Sequence, residues 1–431
     1  MIPDRRIAFS KLTQKQASAA IARHEMLYAG RMGGARAVFA FCDLSGLDLS
    51  GRNLADADFT GAILEETNFA RTRLDSASFF GADLRRANLA EASLRRADMR
   101  GASLRGANLI GADLYECDLR EGAIAEKDRF GNLRMMQHDV GETELPSAMM
   151  HSANLERAKM AGVMAVQADF TDAVMRGCSL ARANLRLAKL TGANLEGADL
   201  TSCNLTGADL SGAVLVGARL TRTVLDGADM SGVLTDTPQS RADASLPISI
   251  AETLEGHSRW VESDGREGRP ADLTGLDLRG MRSLSYRALT ALIAPSAVFY
   301  GLNLEGCSLQ GSNLQGADLR SAKLGGADLR GANLAGAKLN NADLHDAKIG
   351  PLLISDARLL PARLDGAQAR YADFRGADLR RARLSDADLS YANFTGADLR
   401  DTQLGGALIA GTKLPAVVSD SLSAPPGRSQ A

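Results

Sequence analysis

The chain has 431 residues, a formal net charge of −2, 45% apolar residues and only 4% aromatic residues. A balance so close to zero gives no bulk attraction to nucleic acid or acidic membranes, and no stretch of roughly 18 apolar residues is available to cross a bilayer as a helix. The first residues lack an apolar segment followed by a small-residue cleavage site, so a cytoplasmic setting is expected.

Residues Thr13 to Tyr28 read as an amphipathic helix, with Ala17, Ala20, Ile21, Leu27 and Tyr28 on one face. Thr13 and Gln16 form a capping box at its start. After a Gly-rich turn, Gly30 to Gly34, a five-residue pattern takes over, as in the run from Gly101 to Leu114. Call its apolar residue position i. Position i−2 is small, i−1 is Asp, Asn or Ser, and i+2 is often Gly. Neither the helical period of about 3.6 nor the strand period of about 2 fits. Within one short extended segment, i and i−2 share a face while i−1 and i+1 point out. Gly at i+2 permits a tight turn. The apolar centres run from Phe39 to Ile124, Leu155 to Met230 and Phe299 to Leu414, faltering at Ala165 and Ala369.

The pattern resembles the pentapeptide-repeat family, whose consensus is Ala-(Asp/Asn)-Leu-x-x. The resemblance implies an all-β solenoid, a right-handed quadrilateral β-helix with one pentapeptide per side and four per coil. A lumen that narrow holds Leu and Ala but few rings, in keeping with the composition. Such a solenoid exposes unpaired backbone and apolar lumen at its ends, and terminal elements are needed to cover them. All five cysteines, Cys42, Cys117, Cys178, Cys203 and Cys307, fall at the inward i−2 position. They read as small buried hydrophobes, with no Cys-x-x-Cys pair or zinc spacing among them.

Two interruptions shift the phase by one residue. Between Ile124 and Leu155, the segment Glu126 to His138 carries a turn signal at Gly131-Asn132 and reads as a protruding hairpin. Between Leu278 and Phe299, Ser285 to Ala294 reads as a short helix through Leu289, Leu292 and Ile293, stopped by Pro295. The chain also looks duplicated. Residues Ser249 to Ser263 form a second amphipathic helix, with Ser249 and Glu252 as capping box and Ile250, Leu254, Trp260 and Val261 inward. Aligning His24 with His257 superposes the two helices, and both lead into similar runs at Cys42 and Ala271. The expected organisation is a capping helix in 1–35, a first solenoid in 36–236 with an insertion at 125–150, and a linker with the second capping helix in 237–270. A second solenoid in 271–415 with a helical insertion at 281–296 and a disordered tail in 416–431 complete it.

No catalytic, cofactor or metal constellation is readable. The histidines are scattered, and His24 and His257 match as helix positions, which points to packing. The many Gly-x-x-x-x-Gly matches are products of the period and carry no phosphate-loop meaning. Asp and Asn at i−1 suit turns and bond nearby backbone. Arginine is the surface signal: seven from Arg85 to Arg120 against five acids, and seven from Arg358 to Arg383 against three. Arg85 and Arg105 differ by one coil and should stack.

The expected function is a non-enzymatic protein–protein interaction scaffold. Its candidate contacts are Lys127, Arg129, Phe130, Asn132, Arg134 and His138 of the insertion, with Arg85, Arg105, Arg375 and Arg380 of the arginine patches. One alternative comes from the family: a DNA-mimicking or loop-mediated modulator of DNA gyrase. Mimicry calls for a strongly negative rod, whereas residues 1–236 carry 28 basic and 30 acidic side chains. Another is binding of nucleic acid or an anionic surface through the arginines, disfavoured by interleaved acids and the scarcity of rings for base stacking. The sequence names neither the protein partner nor the oligomeric state.

Overall fold

The computed structural model describes residues 9–122, 125–127, 133–135, 142–237, 250–281, 283–355 and 358–415. The chain divides into two compact units, residues 1–237 and 238–431, and each is described by itself.

The five-residue period is explained by the backbone bonds of one repeat, Ala87 to Glu91. Ala87 N–H closes a turn onto the Leu84 carbonyl at 3.0 Å, and Asn88 N–H reaches back to Thr67 of the preceding coil at 2.9 Å. Leu89 and Glu91 N–H groups reach forward to Asn108 and Ile110 of the next coil at 2.7 and 2.9 Å. The fifth donor, Ala90 N–H, bonds the Asn88 side-chain oxygen at 3.3 Å. Every N–H of the repeat is thus satisfied. The consensus follows: Asp or Asn at i−1 supplies the acceptor that the backbone lacks. The i+2 residue sits at the left-handed position of a type II turn, Glu91 at φ 57° and Gly111 at φ 64°, where Gly is favoured.

In the first unit, β1 (Ser10–Lys11) pairs in parallel with β2 (Cys42–Asp43). Parallel bridges then link each repeat to the fourth one after it, as in Val38–Asp58–Ser78–Asp98–Asp118, so four pentapeptides make one turn of a β-solenoid. The centres line its lumen. Phe59 and Phe79 are fully buried and stack at 4.9 Å, one coil apart. Each buried Leu centre contributes roughly 1.5–3 kcal/mol. Where Thr replaces Ala at i−2, its hydroxyl donates to a carbonyl inside the wall, as Thr67 does to Leu44 at 2.9 Å.

Helix α1 (Gln14–Tyr28) has the Thr13–Gln16 capping box. Its Ala17 and Ile21 join the lumen's core. The inward face differs from expectation, because His24 is buried whereas Leu27 and Tyr28 are 46% and 42% exposed. The Tyr28 hydroxyl donates instead to the Ala55 carbonyl and to Asp56.

The first insertion begins and ends earlier than its phase slip suggests. Ser103 bridges to Glu144, which lies one residue more than two coils further along the chain. The segment inserted between these neighbouring coils is therefore one residue longer than a coil. Leu145 and Met150 are already buried centres, which corrects the resumption at Leu155 and narrows the insertion from 125–150. Inside it, β3 (Ala125–Lys127) pairs antiparallel with β4 (Leu133–Met135). The turn signal at Gly131-Asn132 lies outside the described residues.

In the second unit, helix α2 (Ile250–Glu262) buries Leu254, Gly256 and His257. Trp260 is half-buried and stacks on His257 at 5.7 Å. Ser249, much of the 237–249 linker and the 416–431 tail lie outside the described residues.

Two expectations fail here. Among the described residues of 281–296 there is no helix. Leu284, Leu289 and Ala294 are successive centres, and Ile293 bridges Asp272 and Asn313 as a solenoid rung. The extra residue falls between Leu278 and Leu284. Leu292 fills the usual small site at i−2 while Ala294 takes the centre, and both are fully buried. That exchange mimics helical spacing.

The second failure is an insertion that the period conceals. Strand β5 (Leu352–Ser355) pairs antiparallel with β6 (Arg358–Leu360), where the five-residue count places centres at Ile354 and Leu359. Asn333 bridges to Arg363, one and a half coils along the chain, so the excess over a single coil is two whole repeats. An excess of whole repeats leaves the phase unbroken.

Candidate partner-binding surfaces

Positions i−1 and i+1 both point outward, so an Asp-Leu-Arg repeat folds its arginine back onto its own aspartate. Arg85 forks Asp83 at 2.8 and 2.6 Å. Arg380 does the same to Asp378 at 2.8 and 2.8 Å, and Arg375 to Asp373. The fork pulls the Asp378 and Asp398 carboxyls below the usual range, chiefly through the bonds from Arg380 and Arg400. Exposed pairs of this kind contribute little stability, but they hold the guanidinium groups in fixed positions. Much of the arginine excess is therefore balanced within its own rung. Arg105 is exposed and enters no ion pair among the described residues.

The candidate residues fall into separate groups. Arg85 and Arg105 share a column that leads to the first insertion, since Gly106 N–H donates to the Pro146 carbonyl, just past the point where the chain rejoins the wall, at 3.0 Å. Lys127 lies in β3 opposite Leu133, and Arg134 in β4 opposite Glu126. Arg129, Phe130, Asn132 and His138 lie outside the described residues. Arg375 and Arg380 belong to the second unit.

Sequence reasoning missed a cleft of about 720 Å³ in that unit. Arg330, Lys348, Arg380, Arg381 and Arg400 line it, with Pro351, Asp378 and Asp401. It also missed the hairpin β5–β6 that begins beside Pro351. The available signals were Pro351 and Pro361 around the hairpin and Leu353 where the repeat calls for Asp or Asn.

Among the described residues, no group of three or more His, Cys, Asp or Glu could hold a metal ion. No described helix is long and apolar enough to cross a membrane. Cys117, Cys178, Cys203 and Cys307 are buried, and burial pushes their thiols up, Cys203 to about 12. Cys42 is only half-buried, in the first coil.

A family model described as "Pentapeptide repeats" matches eight stretches: 35–69, 53–89, 82–120, 168–207, 203–233, 297–336, 312–349 and 362–412. Together they span more than half of the chain. The chain belongs to the pentapeptide-repeat family. As in that family, the coils of this pentapeptide-repeat protein form a right-handed β-helix. The matched stretches stop at 349 and resume at 362, on either side of hairpin β5–β6.

No curated protein matches the chain significantly. Among solved structures, it is similar to the pentapeptide-repeat protein Rfr23 from the cyanobacterium Cyanothece 51142, with 27% identity over 31% of this chain and 91% of that one, at a TM-score of 0.27. It is similar to QnrB1, a plasmid-mediated fluoroquinolone resistance protein, with 16% identity over 45% and 91% and a TM-score of 0.32. HetL, involved in heterocyst differentiation regulation in the cyanobacterium Nostoc sp. strain PCC 7120, shares 23% identity over 92% and 96%, with a TM-score of 0.16. These TM-scores are low, and family membership rests on the repeats themselves.

Proposed function

We propose that this pentapeptide-repeat protein is a non-enzymatic interaction scaffold that engages a protein partner in the cytoplasm. In this reading each unit is a four-sided coil whose N-terminal end is closed by α1 or α2. Its walls present side chains at fixed intervals, and the insertion between Ser103 and Glu144 is the contact element. Lys127, Arg129, Phe130, Asn132, Arg134 and His138 then meet the partner, flanked by the Arg85–Arg105 column.

The observation that carries the reading is the fixing of outward groups. The i−1 side chains are tied to backbone N–H groups and many i+1 arginines are forked by carboxylates, so little freedom is lost on binding. Arg375 and Arg380 are presented in the same way.

Excision of Gly122 to Glu142 returns the step from Ser103 to Glu144 to a single coil. The excised protein should keep a cooperative thermal transition while losing the partner that the full chain retains in affinity capture. Undiminished capture would show that the insertion is not the contact.

The gyrase-modulator alternative draws on the family and on the likeness to QnrB1, a fluoroquinolone resistance protein. The paired arginines and near-neutral charge do not favour it. Inhibition of purified gyrase in a supercoiling assay would nevertheless put it in place of the scaffold reading.

A further inference from the structure

Hairpin β5–β6 is seated on the wall by one side and leaves the other bare. Leu352 and Leu360 lie over the glycine corners of two coils. A Cβ placed on Gly331 would come within 2.7 Å of Leu352 Cβ and 3.1 Å of Leu360 Cδ2, and one on Gly311 within 3.7 Å of Leu352 Cδ2. The glycines make room for the hairpin. Leu353, Ile354 and Leu359 project away and are 62%, 52% and 41% exposed. Three large aliphatic side chains on seven described positions of one surface hairpin form a patch that a solvated loop does not need.

At the root of the hairpin lies the cationic cleft, with Pro351 shared between the two. Five cations line it; of these, Arg380 pairs with Asp378 and Arg381 with Asp401, both also in the lining. Arg330 and Arg400 are held in place by forks from Asp328 and Asp398, each with a shortest contact of 2.6 Å. Lys348 stands in the ladder where Asp328, Asp378 and Asp398 stand in the other coils, so it adds a charge that its own rung does not balance.

The two features together select the ligand. Neither the cleft nor the exposed patch carries an aromatic ring, so bases have nothing to stack on. An aliphatic knob beside a positive cleft complements a polypeptide that sets carboxylates next to aliphatic side chains. We propose that hairpin β5–β6 and the cleft at its root form a docking site for an acidic protein segment, its carboxylates entering the cleft while its aliphatic side chains cover Leu353, Ile354 and Leu359. This deepens the scaffold reading, on which it rests, and adds a second contact element in the second unit.

The test uses the full chain and three fluorescein-labelled peptides: one alternating Glu and Leu, one with Lys for Glu, and one with Ser for Leu. Anisotropy should report binding of the Glu/Leu peptide alone, weakening between about 50 and about 300 mM salt. Leu353→Ser with Ile354→Ser, and separately Lys348→Gln, should each weaken it by about tenfold or more. Both variants should melt like the parent, because these side chains are exposed or lie at the cleft's rim. The proposal falls if the Glu/Leu peptide does not bind, if the Lys peptide binds as well, or if neither variant changes the affinity. It also falls if single-stranded DNA competes for the site regardless of the leucine substitutions. Sedimentation that shows a dimer lost on Leu353→Ser/Ile354→Ser would assign the patch to a second copy instead. Partner capture that depends on Gly122 to Glu142 while the peptide fails to bind would leave the scaffold standing and remove only this site.

Discussion

His24 Nδ1 accepts a hydrogen bond from the backbone N–H of Ala37 at 3.0 Å, joining α1 to the first coil of the first unit. The second unit repeats it: His257 Nδ1 accepts from Ala271 N–H, also at 3.0 Å. Both imidazoles are fully buried. An accepting Nδ1 must be unprotonated, so each ring is neutral, with its proton on Nε2.

Acid should therefore loosen both junctions. Burial lowers the pKa of His24 and His257 below 6.5. Asp56 and Glu25 oppose the shift at His24, Arg36 adds to it, and His257 has backbone at Leu289 and Thr290 beside it. The folded state thus binds fewer protons than the unfolded chain. This contribution is full above about pH 6.5 and is lost as pH falls through the depressed folded values. Thermal melts should show the transition falling from pH 7 towards about pH 5. In a His24→Asn/His257→Asn variant, whose amide oxygens still accept, the slope in that window should flatten. An unchanged slope would assign the acid sensitivity to other groups.

A column of amides runs up one wall. Asn68 donates to Asp48 at 2.9 Å, Asn88 to Asn68 at 3.0 Å, and Asn108 to Asn88 at 3.1 Å. Each oxygen also receives a backbone N–H from its own repeat, as Asn88 does from Ala90. Asn88→Asp keeps the acceptor but loses the donor to Asn68, and should cost about 1 kcal/mol. Asn88→Ala also strands the Ala90 N–H and should cost about 1 kcal/mol more. Urea titration of the two variants separates the terms. Equal losses would mean that the ladder bond contributes nothing.

The cysteines give a direct check on the register. Native-state alkylation should reach Cys42, half-buried in the first coil, ahead of Cys117, Cys178, Cys203 and Cys307. Those four should react only with unfolding, since burial removes access and suppresses the thiolate. Early labelling of any of them, read by mass spectrometry, would place that repeat out of register.

Phase was the legible quantity in this chain, and its limits are physical. The insertion before Glu144 exceeds a coil by one residue, so every later centre moves and the break shows. The insertion before Arg363 is two whole repeats, and Ile354 and Leu359 fall where centres belong while lying outside the wall. Ser285 to Ala294 misled for another reason. Leu289, Leu292 and Ile293 are spaced by three and four, as on a helix face, but the same spacing arises when Leu occupies i−2. The arginine patches were visible as counts. Their pairing was legible too, since i−1 and i+1 both point outward and set Asp83 beside Arg85 and Asp378 beside Arg380. The cleft is bounded at Pro351 by the root of the hairpin, whose whole-repeat length leaves no mark on the phase.

The seating of that hairpin can be measured with two glycines. Gly331 and Gly336 have similar left-handed conformations, φ +67° and +65°. An alanine at either position carries the same backbone penalty, about 1 kcal/mol. At Gly336 nothing lies within 4 Å of the added Cβ, whereas at Gly331 Leu352 Cβ is 2.7 Å away. Gly336→Ala should therefore show the conformational cost alone. Gly331→Ala should show the same cost and also lift the hairpin, adding about 1–3 kcal/mol if the coil strains to keep the contact. If the hairpin yields instead, the melting temperature will match that of Gly336→Ala, and hydrogen exchange at Leu352–Ser355 and Arg358–Leu360 will quicken. Equal stability with unchanged exchange would mean that Leu352 does not rest on Gly331.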